Sequence, residues 1–280
     1  DNDSDPDEKP EHQVYLKAYF LDRHEVTQDA YDRFARMTKR IKRKIEVFEE
    51  DPAKLLKPEY PMIAVTWDDA EAYCKWAGKR LPTEAEWEKA ARGEGKRRYA
   101  WGDEFVVGYA NIDGNEDGFR YLAPPGSFES GRSPYGIYDM TGNVGEWVAD
   151  FYDENSYRGS PYRDPKGPDQ GEQRVIRGGS WRETKRNVRS SKRFQAKPWR
   201  HDITVGFRCA KANALSRSER RRSILLHPFS LFAYHSRLFR RLVRHEQVFQ
   251  LVEKPLAMFR NVLAIELGQF AQQLLLPVIQ

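Results

Sequence analysis

Apolar and polar positions alternate from His12 to Leu21 (HQVYLKAYFL), a period of two that predicts a strand. The pattern then turns helical. Thr27 stands as an N-cap, and Tyr31 and Phe34 follow on one face. Residues 38–59 are highly charged and read as a surface excursion with some helix. Thr66, with Asp69 three positions on, opens a second helix that Gly78 is placed to end. Thr83 and Glu86 have the spacing of a capping box, and Gly93 closes that third helix.

From about Tyr99 to Glu172 the pattern dissolves into Gly, Asn, Asp and Pro turns carrying isolated aromatics. An irregular region this long inside a compact domain calls for a cross-link or bound ions. Arg174–Arg177 reads as a short strand leading into Gly178 and Gly179, and Thr204–Cys209 as another. The character changes again after Ala214. A basic linker, Ser216 to Arg222, precedes an apolar stretch with interspersed Arg and His. That stretch predicts two amphipathic helices, roughly 229–252 and 256–275, split by Lys254 and Pro255. The reading is therefore two parts: an α+β domain of low regular secondary structure over 1–214, and a basic helical tail over 215–280. The first dozen residues, acidic and Pro-containing, read as a flexible lead-in.

Composition refines this picture in two ways. All seven Trp precede residue 200, which suits a loop-rich fold with a core of large rings. The net charge of +5 is uneven: the tail holds ten Lys and Arg against four Asp and Glu, which leaves the rest close to neutral. A nucleic-acid partner would rest on the tail alone and is disfavoured. Mean hydropathy is −0.81, and no apolar run reaches the ~18 residues of a membrane span. No apolar leader is in view ahead of Asp1, which decides nothing about compartment.

Several words occur in a telling order: Glu25-Val26-Thr27, Pro61 to Trp67 (PMIAVTW), Ala72 to Glu88 (AYCKWAGKRLPTEAEWE), Tyr135 to Trp147 (YGIYDMTGNVGEW), Arg177-Gly178-Gly179-Ser180-Trp181 and Gly206-Phe207-Arg208-Cys209. Together they resemble the formylglycine-generating (sulfatase-modifying factor) family, over about residues 8–211. The resemblance implies that family's variant of the C-type lectin fold. It also implies an opening strand ahead of Asp1, and gives the tail no counterpart.

Calcium is the cofactor the resemblance implies, at two places. One set matches Asn111, Ile112, Asp117 and Phe119, through a shortened loop. The other matches Asp139, Gly142, Val144 and Glu146, clean in spacing except that Gly145 replaces the usual Trp. Short acidic and amide side chains in Gly-rich turns are what a hard cation needs. The competing reading is an acidic turn region bonded to itself. Cys74 and Cys209 match a structural disulfide pair of the family. Two buried thiols in a reducing compartment is the alternative.

Copper is disfavoured. The family's copper-binding thiols belong between Arg182 and Arg193, and that window contains neither Cys nor His. His201 is the nearest imidazole, and one imidazole makes no metal centre. The sequence thus points to a non-catalytic, calcium-stabilised binding or scaffold module, disulfide-bonded and extracytoplasmic. Trp181, Arg189, Arg193, Trp199 and Arg208 are expected to line its groove and to receive a protein, peptide or anionic ligand. An oxidoreductase of different chemistry on the same fold, acting on a peptide or peptide-derived metabolite, is the alternative. The tail suits a partner subunit or an anionic membrane surface.

Overall fold

Three capped helices and six short strands make up the main regular structure of residues 4–40 and 54–213, the part of the chain described in the computed structural model. The two tail helices and residues 41–53 of the charged stretch lie outside the described residues. Helix α1 (Gln28–Thr38) starts where the Thr27 side chain accepts from the Ala30 N–H. Helices α2 (Trp67–Trp76) and α3 (Glu84–Arg92) both open with complete capping boxes, Thr66 with Asp69 and Thr83 with Glu86. Each box satisfies two N–H groups that the first turn would otherwise leave unbonded. These local signals need no distant partner, which is why the sequence alone places them.

The strands are β1 (Tyr19–Leu21), β2 (Gly145–Phe151), β3 (Arg174–Arg177), β4 (Arg193–Ala196), β5 (Val205–Gly206) and β6 (Ala210–Ala212). β1 pairs antiparallel with β6. The other four form a sheet in the order β4-β3-β2-β5, antiparallel except for the β2–β5 pair. The strand expected over His12–Leu21 is thus confined to Tyr19–Leu21. Its side chains do alternate in exposure, but Tyr15 makes only an isolated bridge to Arg163. Alternation records which side faces the protein, whereas a ladder also needs a neighbouring backbone, and β6 is only three residues long.

The lead-in also departs from expectation. Residues 4–12 lie against the domain, and Glu8 is buried in contact with Arg189. No local pattern announces this, because the partner lies far along the chain.

Three apolar clusters fill the interior. The largest joins α1 and α2 to Trp147, Ile176, Val205 and Phe207, with Tyr31, Phe34, Tyr73 and Phe207 meeting ring to ring. A second surrounds Trp87, and a third holds Leu55, Ile63, Leu122, Val144 and Trp181. Cys74 of α2 and Cys209 form a disulfide with Cα atoms 5.6 Å apart, spanning 135 residues of sequence. The two thiols are therefore not free, and the cross-link closes a loop that contains the long irregular region.

Closing a loop of this length constrains the unfolded chain by about 5 kcal/mol in the loop-entropy treatment. Reduction, or Cys74→Ser with Cys209→Ser, should lower the unfolding free energy read from denaturant titration by an amount of that order at unchanged fold. Coincident unfolding curves with and without reductant would contradict the bond's structural weight.

Candidate functional site

The four-stranded sheet has two chemically opposite faces. Glu146 pairs across to Arg177 and Arg177 to Arg193, while Trp147 pairs to Ile176 and Ile176 to Phe194. Because strand side chains alternate, the charged row lies on one face and the apolar row on the other.

On the charged face each arginine is buried and answered. Arg208 donates from Nε to both Glu146 oxygens at 2.9 and 2.7 Å, and from Nη2 to Oε1 at 2.6 Å. Trp87 Nε1 donates to Glu146 Oε2 at 2.9 Å. Arg193 grips Glu84 through Nε and Nη2 at 2.8 and 3.0 Å. Arg177 reaches Glu88 at 2.7 Å and the carbonyls of Ser190 and Ser191. Arg189 holds Glu8 with two bonds of 2.7 Å. Burial opposes the charge on Arg193 and Arg208, but Glu84 and Glu146 outweigh it, so both hold their protons more firmly than free arginine.

This corrects the expected groove. Arg189, Arg193 and Arg208 point into the protein and are spent on internal carboxylates. Trp181 is buried against Tyr121, with ring centroids 5.5 Å apart. Trp199 alone of the five is exposed, beside Lys197. The structure does not bring them to one surface. Sequence pattern shows that an Arg is present, but not that a carboxylate far along the chain already meets it.

The apolar face carries a cleft instead, of about 330 Å³. Gly145, Trp147, Ile176, Phe194 and Val205 line it, with Ser180, Glu183, Lys197, Arg200 and Asp202 also contributing. Gly145 is decisive, since a Cβ there would meet Ile176 Cγ2 at 2.9 Å and Val205 Cγ2 at 3.8 Å. Any side chain at 145 would project among the cleft-lining groups, and Gly leaves that space open. None of the five groove residues lines this cleft. The one sequence signal for it is Gly145, the departure from the usual Trp.

The two sets matched to calcium adjoin. Asn111 donates from Nδ2 to Asn143 Oδ1 at 3.0 Å, and the Asn143 N–H donates to the Asn111 carbonyl at 2.8 Å. Gly142 has φ +77, and a Cβ there would stand 2.1 Å from that carbonyl. In the first set, Asp117 draws the turn together by accepting from the Ile112 and Phe119 N–H groups at 3.0 and 2.8 Å. Asn111 Oδ1 is buried with no hydrogen-bond partner. In the second set Glu146 is engaged by Arg208 and Trp87, and Asp139 Oδ2 accepts from the Gly126 N–H at 2.7 Å. The orphaned oxygen therefore belongs to the set with the shortened loop. Burial raises Asp139 above the usual carboxylate range, partly offset by the Gly126 N–H and Arg208. Burial, then Asp139 and Glu146, push Glu25 well up.

Residues 1–213 match the sulfatase-modifying factor enzyme 1-like domain family. Serine/threonine-protein kinase pkn1 of Chlamydia caviae is 38% identical over 73% of this chain and 35% of its own length. Formylglycine-generating enzyme of Streptomyces coelicolor is 41% identical over 55% of this chain and 53% of its own. The chain thus spans about a third to a half of these curated relatives. Among solved structures, that of PvdO from Pseudomonas aeruginosa superposes with a TM-score of 0.66 at 30% identity, over 75% of this chain and 87% of that one.

Asp150 yields a pH prediction. It accepts from the Glu84 N–H at 2.7 Å, and burial followed by the Glu84 charge raises it to about 7. A folded value above the unfolded one favours the fold at low pH, and that gain disappears as pH rises through about 7. The contribution lost between pH 5 and pH 8 is about 2–3 kcal/mol. Asp150→Asn keeps an acceptor for Glu84 and should flatten this part of the profile, as read by denaturant unfolding at both pH values. Parallel wild-type and variant profiles would contradict the assignment.

Proposed function

Since the chain belongs to the sulfatase-modifying factor enzyme 1-like domain family, we propose that it is a non-catalytic binding module whose cleft receives a protein or peptide ligand. The observation that carries this reading is the fate of the cysteines. The chain has two, and both are joined in the disulfide. No thiol remains to hold copper, which requires soft ligands, and the window from Arg182 to Arg193 contains no His. The donor set does not fit copper.

The cleft supports the binding half of the reading. An apolar floor with acidic and basic groups on the same cleft suits a side chain flanked by peptide amides better than a purely anionic ligand. Calcium is the stabilising ion proposed here. Asn111 and Asp117, with the backbone of Ile112 and Phe119, would hold it, and the orphaned Asn111 Oδ1 supports that set. Bound there, the ion supplies charge and coordination to an irregular loop region, and no chemistry. The disulfide supports an oxidising, extracytoplasmic setting.

Peptides selected from a random display library on the purified protein should bind with micromolar affinity. Ala196→Trp, which fills the cleft from β4 at unchanged melting temperature, should weaken them at least about tenfold, a 1.4 kcal/mol effect. Supplied with copper and a sulfatase-type Cys peptide, the unmodified chain should yield no aldehyde above background. Formylglycine in that assay, or peptides indifferent to Ala196→Trp, would overturn the proposal.

Calcium is tested separately. Its addition to chelator-treated protein should raise the melting temperature, and Asp117→Asn should shrink that rise by removing charge from the set. Melting that ignores both calcium and chelator would dismiss the ion.

A further inference from the structure

Beside the charged face of the sheet, which α3 covers through Glu84, Trp87 and Glu88, lies a second charged cluster that the cleft does not explain. Residues 5–8 lie against the loop ahead of β4 and the first residue of that strand, and the carboxylates of Asp5, Asp7 and Glu8 are all met. Glu8 receives two bonds from Arg189 and one from Ser191 Oγ, each 2.7 Å. Lys192 pairs with Asp5. Arg193 Nη1 donates to the Asp7 carbonyl at 2.9 Å, and Tyr152 donates its hydroxyl proton to Asp7 Oδ2, also at 2.9 Å. Asp5, Asp7 and Glu8 stand close enough to invite a cation, and the cations they meet are the protein's own.

We propose that Asp5–Glu8 is a tethered ligand occupying an acidic-peptide site built from Arg189, Ser191, Lys192 and Arg193. The partner that fits the site is a peptide with carboxylates at the spacing of Asp5, Asp7 and Glu8, and it competes with the chain's own segment.

Two features separate a displaceable ligand from a permanent staple. Pro6 and Pro10 carry the only hydrocarbon side chains of residues 1–12, so little burial of hydrocarbon fastens the segment, and charged and polar bonds carry most of the contact of Asp5–Glu8. Glu8 and Arg189 have side chains only 1% exposed, yet both regain water when the segment lifts. The desolvation opposing the pair is then recovered, which keeps the net cost of opening well below the Coulombic attraction. The site also carries its own specificity. The Arg189 fork matches a carboxylate bidentately, and Ser191 supplies a further bond to the same group.

The probe is a labelled peptide of residues 4–12 added in trans to the full chain. Glu8→Lys puts a cation against Arg189 and should expel the tether. Binding of the peptide should then be at least about tenfold tighter than to wild type, because a site mostly filled by its own segment binds in proportion to its open fraction. Adding Arg189→Gln to that variant should remove the gain, and raising salt should weaken binding. Equal, negligible binding to wild type and to a folded Glu8→Lys would overturn the proposal. Should Glu8→Lys not fold, hydrogen exchange of the wild type decides. Amides of residues 4–12 should exchange faster as salt rises while those of β2 and β3 do not. Exchange of the segment only together with β2 and β3 would mark a structural staple and end the proposal.

Discussion

The Arg208 guanidinium is the point through which the domain is tied. It is wholly buried, grips Glu146 of β2, and donates to the carbonyls of Asp22, Arg23, Tyr138 and Asp139. One side chain thus fixes the end of β1, the turn ahead of Gly142 and the central strand. Its neighbours along the chain continue the work. Phe207 enters the aromatic cluster of α1 and α2, and Cys209 bonds to Cys74. An apolar residue in place of Arg208 would leave Glu146 charged and buried, a loss of about 3–5 kcal/mol for pairs of this kind. In a fold with so few long strands, that concentration of contacts takes the place of an extended hydrogen-bond ladder.

Legibility in the sequence follows the range of the interaction. The capping boxes at Thr66 and Thr83 close within three residues, so they can be read directly, and Gly78 with its positive φ ends α2 as expected. The Cys74–Cys209 pair was open to two readings from the residues alone, and resemblance pointed to the bond. The arginines are illegible for the opposite reason. Glu8 and Arg189 lie 181 positions apart, Glu84 and Arg193 109, Glu146 and Arg208 62. Nothing local distinguishes an Arg awaiting a ligand from one that already has a carboxylate. The lead-in is illegible in the same way, because an acidic segment looks solvated until its basic partner is placed.

Those arginines also show what became of the family frame. Gly178 and Gly179 turn the chain after β3, both with positive φ, and the window that follows leads into the neighbouring strand β4. Its side chains now serve the interior: Arg189 anchors Glu8, and Arg193 anchors Glu84 at the start of α3. Backbone geometry survives such a change because it depends on glycine torsions and strand pairing, whereas reactivity depends on a few donor atoms. The window carries no Cys or His, and the guanidinium groups it does carry have no lone pair to offer a metal.

β4 is where the two sites meet. It is an edge strand of four residues, paired only to β3 in its sheet. Arg193 on one face bonds to Asp7 of the tether and to Glu84, while Phe194 and Ala196 line the cleft on the other. A ligand in the cleft would touch the strand that carries part of the grip on Asp7. Were it to prefer one position of β4, linkage would require displacement of the tether to change affinity in the cleft by the same factor. As an edge strand β4 has fewer ladder bonds to lose than β2, which lies between β3 and β5 and is pinned by Arg208, but Arg193 still ties it to Glu84. The alternation of side chains that made the sheet two-faced is also what lets one strand be felt from both sides.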